Sequence, residues 1–138
     1  MNRRSRSGLF LLEFLSSLLI FALCAAVCMQ LFAAAHGLTR RTRAENRAAL
    51  LAQSTAACIQ SQNGDLDAAC RLMGGSGPTL YFDENGDAAP QAEAAFTLTV
   101  LPAADAERAD LAVSWQGETL LTLSCGWHTP LVKGGGTP

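Results

Sequence analysis

Residues 9–35 read LFLLEFLSSLLIFALCAAVCMQLFAAA, and this stretch decides the architecture of the chain. It holds 23 apolar residues out of 27, whereas the other 111 residues hold 45. As a helix it would be about 40 Å long, enough to cross a hydrocarbon core of about 30 Å. We therefore expect a membrane-spanning helix. The alternative is a secretory signal cleaved after Ala35, although the apolar part of such signals is usually about 7 to 15 residues.

Charge is distributed as unevenly as hydrophobicity. The whole chain of 138 residues has a formal net charge of −2, but from residue 48 onward ten acids face three bases, a net charge of −7. This acidity argues against nucleic acid as a partner of the distal part. Three arginines precede residues 9–35 and four follow within a dozen residues, so the arginine count does not set the membrane orientation.

Glu13 is the one acidic or basic residue within residues 9–35. A charged side chain costs about 2.5 to 3.5 kcal/mol at the bilayer centre on insertion scales, and less near the interface. Glu13 can lie solvated at headgroup depth, where the positive end of the helix dipole favours it. It can instead pair with a cation inside a protein assembly.

The residues around Glu13 resemble the signature of a known family. The basic segment Arg3-Arg4-Ser5-Arg6-Ser7 and Gly8 come first, then the apolar residues 9–12, then Glu13 and the rest of the apolar stretch. This order resembles the prepilin signature of type IV pilins and type II secretion pseudopilins. The resemblance implies that residues 1–8 are a leader, that a membrane-embedded prepilin peptidase cuts between Gly8 and Leu9, and that the new amine of Leu9 is N-methylated.

The resemblance also implies how the chain would assemble. Glu13 would meet the Leu9 amine of a neighbouring subunit, and this pairing would neutralise two buried charges. Phe10 and Phe14 would join the lateral packing of residues 9–35. The family usually has Phe directly after the cut, then Thr, and many major pilins have a proline further along the helix. Here no proline occurs before Pro78, which favours a minor pilin or a pseudopilin.

A helical pattern continues beyond the apolar stretch and predicts one helix from about residue 9 to about residue 60. Turn formers at residues 61–64 should end it. Next comes a short helix over 65–73 with Asp65 as N-cap. The apolar face of the long helix would carry Ala44, Ala48, Leu51, Thr55 and Cys58 or Ile59.

Period-two alternation predicts four strands in the distal part, over residues 79–82, 94–101, 110–115 and 119–125. Gln116-Gly117 and Asn85-Gly86 are predicted turns. The fold class is therefore α+β, with a long N-terminal helix packed on a roughly four-stranded antiparallel sheet. The pilin resemblance implies the same layout. Residues 36–133 would form the globular head, and residues 134–138 a disordered tail.

Other chemical signals in the sequence are weak. Cys58, Cys70 and Cys125 permit one disulfide in three possible pairings. Cys125 beside His128 allows the hypothesis of a small thiol enzyme, but a structural cysteine is favoured. The stretch 83–87 has the composition of a calcium loop without its closing glutamate, and a turn is favoured. We expect no enzymatic activity, no cofactor and no metal.

The favoured function is that of a structural subunit, a minor pilin or pseudopilin, of a type IV pilus, type II secretion or competence-like filament. Its expected partners are other pilin or pseudopilin subunits, the prepilin peptidase, an assembly platform protein and the membrane. The expected location is the cytoplasmic membrane, single-pass with the head outside the cytoplasm, and then a cell-surface or periplasmic filament. The alternative is a secreted or membrane-anchored binding domain that uses residues 9–35 as a signal or anchor.

Overall fold

The structure is a computed structural model that describes residues 3–105 and 107–128. The predicted tail lies outside the described residues, as do residues 129–133 of the predicted head and the first two residues of the predicted leader. The described elements are α1 (Arg3–Ser61), α2 (Leu66–Leu72), β1 (Thr79–Phe82), a short 3-10 helix (Gln91–Glu93), β2 (Phe96–Pro102), β3 (Arg108–Trp115) and β4 (Glu118–Gly126).

The chain divides into two compact units, residues 1–42 and residues 43–138. In the first unit, the described residues form a single stretch of α1. This helix begins at Arg3, earlier than expected, and continues through Gly8 and Gly37. A glycine inside a helix costs about 1 kcal/mol relative to alanine.

In the second unit, α1 buries the face that its periodicity predicts. Three of the six buried residues on this face are alanines. The hydroxyl of Thr55 is fully buried and donates to the carbonyl oxygen of Leu51 at 2.8 Å. Ile59 is fully buried and Cys58 is half-buried, so Ile59 is the core residue of the two. The buried residues of α1 are Ala44, Ala48, Leu51, Ala52, Thr55 and Ile59.

The sheet is a four-stranded antiparallel meander in the order β1-β2-β3-β4, which confirms the α+β layout. Its inner face and the buried face of α1 belong to one core cluster. Leu98 lies opposite Leu80 and Val113, all of them buried, so each strand adds apolar side chains in register. Burying such a side chain stabilises the fold by about 1.5 to 3 kcal/mol.

The strand ends differ slightly from their predicted positions. β1 occupies the predicted residues, whereas β2 begins two residues later than predicted. The 3-10 helix ends at Glu93, and residues 94–95 connect it to the strand. The Gln116-Gly117 turn is confirmed, with positive φ at both residues, as a tight two-residue hairpin requires. A register shift between Val113 and Ser114 bends the β3–β4 pair next to this turn.

Helix α1 ends in a turn that Trp127, the residue after the last strand, covers. Asn63 and Gly64 have φ values of 53° and 87°, and the Gly64 amide donates to the Ile59 carbonyl at 3.0 Å. Asp65 then caps α2, accepting from the Ala68 amide at 3.0 Å as predicted. The Trp127 indole, directly after β4, lies so close to Gly64 that a methyl group there would overlap with it.

We expect Gly64→Ala to destabilise the second unit for two reasons. The left-handed backbone costs a non-glycine residue about 1 to 2 kcal/mol, and Trp127 must move as well. Gly117→Ala is the matched control, because Gly117 has a φ of 83° but open space around it. In thermal unfolding, Gly64→Ala should lower the melting temperature more than Gly117→Ala does. An equal fall in melting temperature for the two variants would contradict the close contact between Gly64 and Trp127.

Candidate functional site on the apolar helix

The candidate site is the apolar part of α1 in the first unit. Among the described residues, one helix is long and apolar enough to cross a membrane, and its most apolar window is 0% buried. Its large side chains are exposed on every side; Phe10 exposes 69% of its surface and Phe14 56%. Soluble monomers rarely expose contiguous apolar patches of more than a few hundred Å². This surface is therefore suited to contact lipid or other proteins.

The predicted processing and assembly residues lie on the first turns of this surface. Leu9 and Glu13 are one helical turn apart on the same face, separated by a rise of about 6 Å along the axis. Phe10 and Phe14 are paired in the same way on the next face. Gly8 directly precedes them, and a Cβ atom placed there would meet nothing within 4 Å. The structure thus brings these five predicted residues together on exposed helix.

Two hydroxyl groups beside Glu13 were missed by sequence reasoning. Ser16 and Ser17 both donate to the main-chain carbonyl of Glu13, each at 2.9 Å. Thr39 donates in the same way to the Ala35 carbonyl at the other end of the apolar stretch. Serine or threonine three or four residues after a helix carbonyl is the signal that predicts such bonds. In lipid these bonds satisfy hydroxyls that would otherwise lack a partner.

The acidic turn at residues 83–87 is ordered by its own backbone. One carboxylate oxygen of Asp83 accepts from the amides of Asn85 at 2.8 Å and Asp87 at 2.9 Å. Phe82 and Ala88 form an antiparallel bridge across the turn, so the predicted turn is confirmed. These hydrogen bonds, first that from Asp87, hold the pKa of Asp83 below its ordinary value of 3.8.

All five cysteines of the chain are described, and all are free. The disulfide that the sequence permits among Cys58, Cys70 and Cys125 is not formed in this structure. Burial raises the pKa of the Cys125 thiol, and burial together with the charge of Asp67 raises that of Cys70. A raised pKa keeps a thiol protonated at neutral pH, which is the opposite of what a cysteine nucleophile needs.

A groove of about 220 Å³ lies between the end of α2 and strand β1. Ligand pockets usually have volumes of about 300 to 1,000 Å³, so this groove is small for a ligand site. Its lining residues carry no charged side chain and include Met73, Ser76, Thr79, Tyr81, Pro90 and Gln91.

No family model, no curated protein and no solved structure matches this chain. Its function therefore has to be inferred from its own residues and their geometry.

We expect protonation of Asp83 to lower the stability of the second unit in acid. Its carboxylate form is stabilised in the folded state, so its contribution is complete above the ordinary pKa of 3.8 and is lost as the pH falls through the lower folded value. Melting temperatures measured at about pH 6 and about pH 3 should differ less in Asp83→Asn than in the parent chain. Glu84→Gln on the same turn is the control. A pH dependence unchanged by Asp83→Asn would refute this role.

Proposed function

We propose that the chain is a structural subunit of the pilin-like class, a minor pilin or pseudopilin. In this proposal it is cut between Gly8 and Leu9 and assembles through α1 into a type IV pilus, type II secretion or competence-like filament. One observation carries the proposal: the apolar surface of α1 in the first unit is exposed, and on it Glu13 lies one helical turn beyond Leu9. The short basic segment before Gly8 and the length of the apolar stretch support it.

The exposed apolar side chains need a cover that water does not provide. Each large apolar side chain gains about 1.5 to 3 kcal/mol when it leaves water. Lipid can cover the helix before assembly, and the helices of neighbouring subunits can cover it in a filament. The same surface can therefore store the subunit in a membrane and later join it to a filament.

Glu13 supplies the specific contact in this proposal. Cleavage after Gly8 leaves an amine on Leu9, on the same helix face as Glu13. When a neighbouring subunit is displaced along the axis, its Leu9 amine can reach the Glu13 carboxylate. The pair then removes two charges from an apolar surrounding. A carboxylate that is costly in the membrane is thereby useful for setting the position of one subunit against the next.

The resulting mechanism is mechanical. Subunits wait in the cytoplasmic membrane with their heads outside the cytoplasm, and a prepilin peptidase matures them. An assembly platform protein extracts them, and helix packing replaces the lost lipid contacts. The second unit keeps its own apolar face of α1 covered by the sheet throughout.

The first test is the N-terminus of the protein recovered from its native membrane. Intact mass and N-terminal sequencing should show a chain that begins at methylated Leu9. Gly8→Leu should block this cleavage, whereas Gly37→Leu should not; at both glycines an added Cβ meets nothing within 4 Å. An N-terminus at His36 would instead identify a cleaved secretory signal and would overturn the proposal.

The second test concerns Glu13. Glu13→Ala should still be inserted and cleaved, since it removes a charge that is costly in lipid. The amount of subunit in isolated filaments should fall by at least about a hundredfold, because loss of one partner of a buried pair costs about 3 to 5 kcal/mol. Gln30→Ala, which also removes a polar side chain from the apolar stretch, is the control. Normal incorporation of Glu13→Ala would show that the pair does not drive assembly.

A further inference from the structure

The end of α1 and the inner face of α2 bring sulfur atoms together. The Sγ atom of Cys58 lies 3.7 Å from the Sδ atom of Met73, which directly follows α2. Cys70 precedes Met73 by one helical turn, and both belong to the side of α2 that meets the core. Cys58 therefore contacts a residue at the end of α2 that lies on the same helix face as Cys70.

Cys125 lies on another side of α1. Its Sγ atom is 3.7 Å from the carbonyl oxygen of Ala56, and its strand neighbour is Ala109. Two residues along a helix correspond to a rotation of about 200°, so Ala56 and Cys58 point to nearly opposite flanks. The helix itself thus separates the Cys125 thiol from the Cys58 thiol.

We infer that Cys58 and Cys70 are the two cysteines that form a disulfide, and that Cys125 remains a buried thiol. The bridge would tie the last turn of α1 to α2 across residues 62–65. This inference goes beyond the proposed function and relies on it only for the compartment. A head outside the cytoplasm meets the oxidising conditions in which disulfides form and persist.

The reaction needs an oxidant that carries a disulfide, either a small-molecule disulfide or a protein with an exchangeable disulfide. Cys58 is half-buried and Cys70 is buried, so Cys58 reacts first. Its thiolate attacks one sulfur of the oxidant, forms a mixed disulfide and releases the first oxidant thiol. The Cys70 thiolate then attacks the Cys58 sulfur and releases the second. Two protein thiols are oxidised, one oxidant disulfide is reduced, and the two thiol protons pass to the released thiolates.

The Met73 side chain contacts the Cys58 thiol in the reduced form. Its unbranched thioether can adopt other rotamers more readily than a branched side chain, which favours local rearrangement when the bridge forms. Because burial and the charge of Asp67 raise the pKa of Cys70, the second attack should become faster as the pH rises.

The test uses the full-length chain, reduced in detergent micelles and then treated with oxidised glutathione. Free thiols are blocked with an alkylating reagent, and the digested protein is mapped by mass spectrometry without reduction. The expected product is a peptide pair joined through Cys58 and Cys70, with Cys125 alkylated only after unfolding. A pair that contains Cys125 would overturn the inference. So would glutathione retained on Cys58 while Cys70 stays a thiol.

Two variants make the result independent of folding defects. Cys70→Ser should stop at one glutathione on Cys58, and Cys125→Ser should still form the bridge. Oxidation should raise the melting temperature of the parent chain and of Cys125→Ser, but not that of Cys70→Ser. Circular dichroism of each reduced variant verifies that it is folded.

Failure of this inference is distinguishable from failure of the proposed function. The glutathione experiment measures pairing in purified protein, whatever the N-terminus of the native chain is. A Cys58–Cys70 bridge in a chain cleaved after Ala35 would retain the inference and reject the filament subunit. A chain with methylated Leu9 whose cysteines pair differently would support the filament subunit and reject the Cys58–Cys70 bridge.

Discussion

The rest of the structure depends on one constraint, which is that an apolar helix surface has to be covered. In residues 43–61 the cover comes from the same chain, because the apolar face of α1 belongs to one core cluster with the sheet and Ile59 and Thr55 are fully buried. Within residues 9–35 the apolar side chains are exposed, so their cover has to come from lipid or from another protein. One continuous helix therefore carries two different demands, and the boundary between them coincides with the arginine-rich segment after residue 39.

In the second unit, the sheet and α1 cover each other with a simple topology and an almost entirely apolar core. In the four-stranded meander, each pair of neighbouring strands is also adjacent in sequence. The sole buried polar side chain among the described residues, Thr55, bonds to its own helix, so the core needs no polar partner from the sheet. The α1 half in this unit and the sheet can therefore meet through nearly pure apolar packing.

Much of this fold was predictable because its signals are local. The Asp65 cap, the Gln116-Gly117 turn and the alternation from Phe96 to Val100 each depend on a few neighbouring residues. The start of α1 at Arg3 has no such local signal, because the apolar pattern begins only at Leu9. The contact of Trp127 with Gly64 joins residues far apart in sequence and has no local pattern.

The features of the candidate site and of the cysteines also divide into those set by local sequence and those set by tertiary packing. The spacing of Leu9 and Glu13 is a property of the sequence, and a regular helix converts it directly into a shared face. The choice among three cysteine pairings is a property of tertiary packing, because it depends on which flank of α1 each strand and helix covers.

The position of Trp127 also sets an order in time. The first half of α1 leaves the ribosome before any strand exists, whereas the residue that covers the end of this helix follows the last strand. Local strand pairing can proceed as each hairpin emerges, but the turn at Gly64 stays uncovered until β4 and Trp127 have been translated. In the proposed function, the chain between the apolar segment and Trp127 would therefore separate delivery of that segment to a membrane from completion of the head.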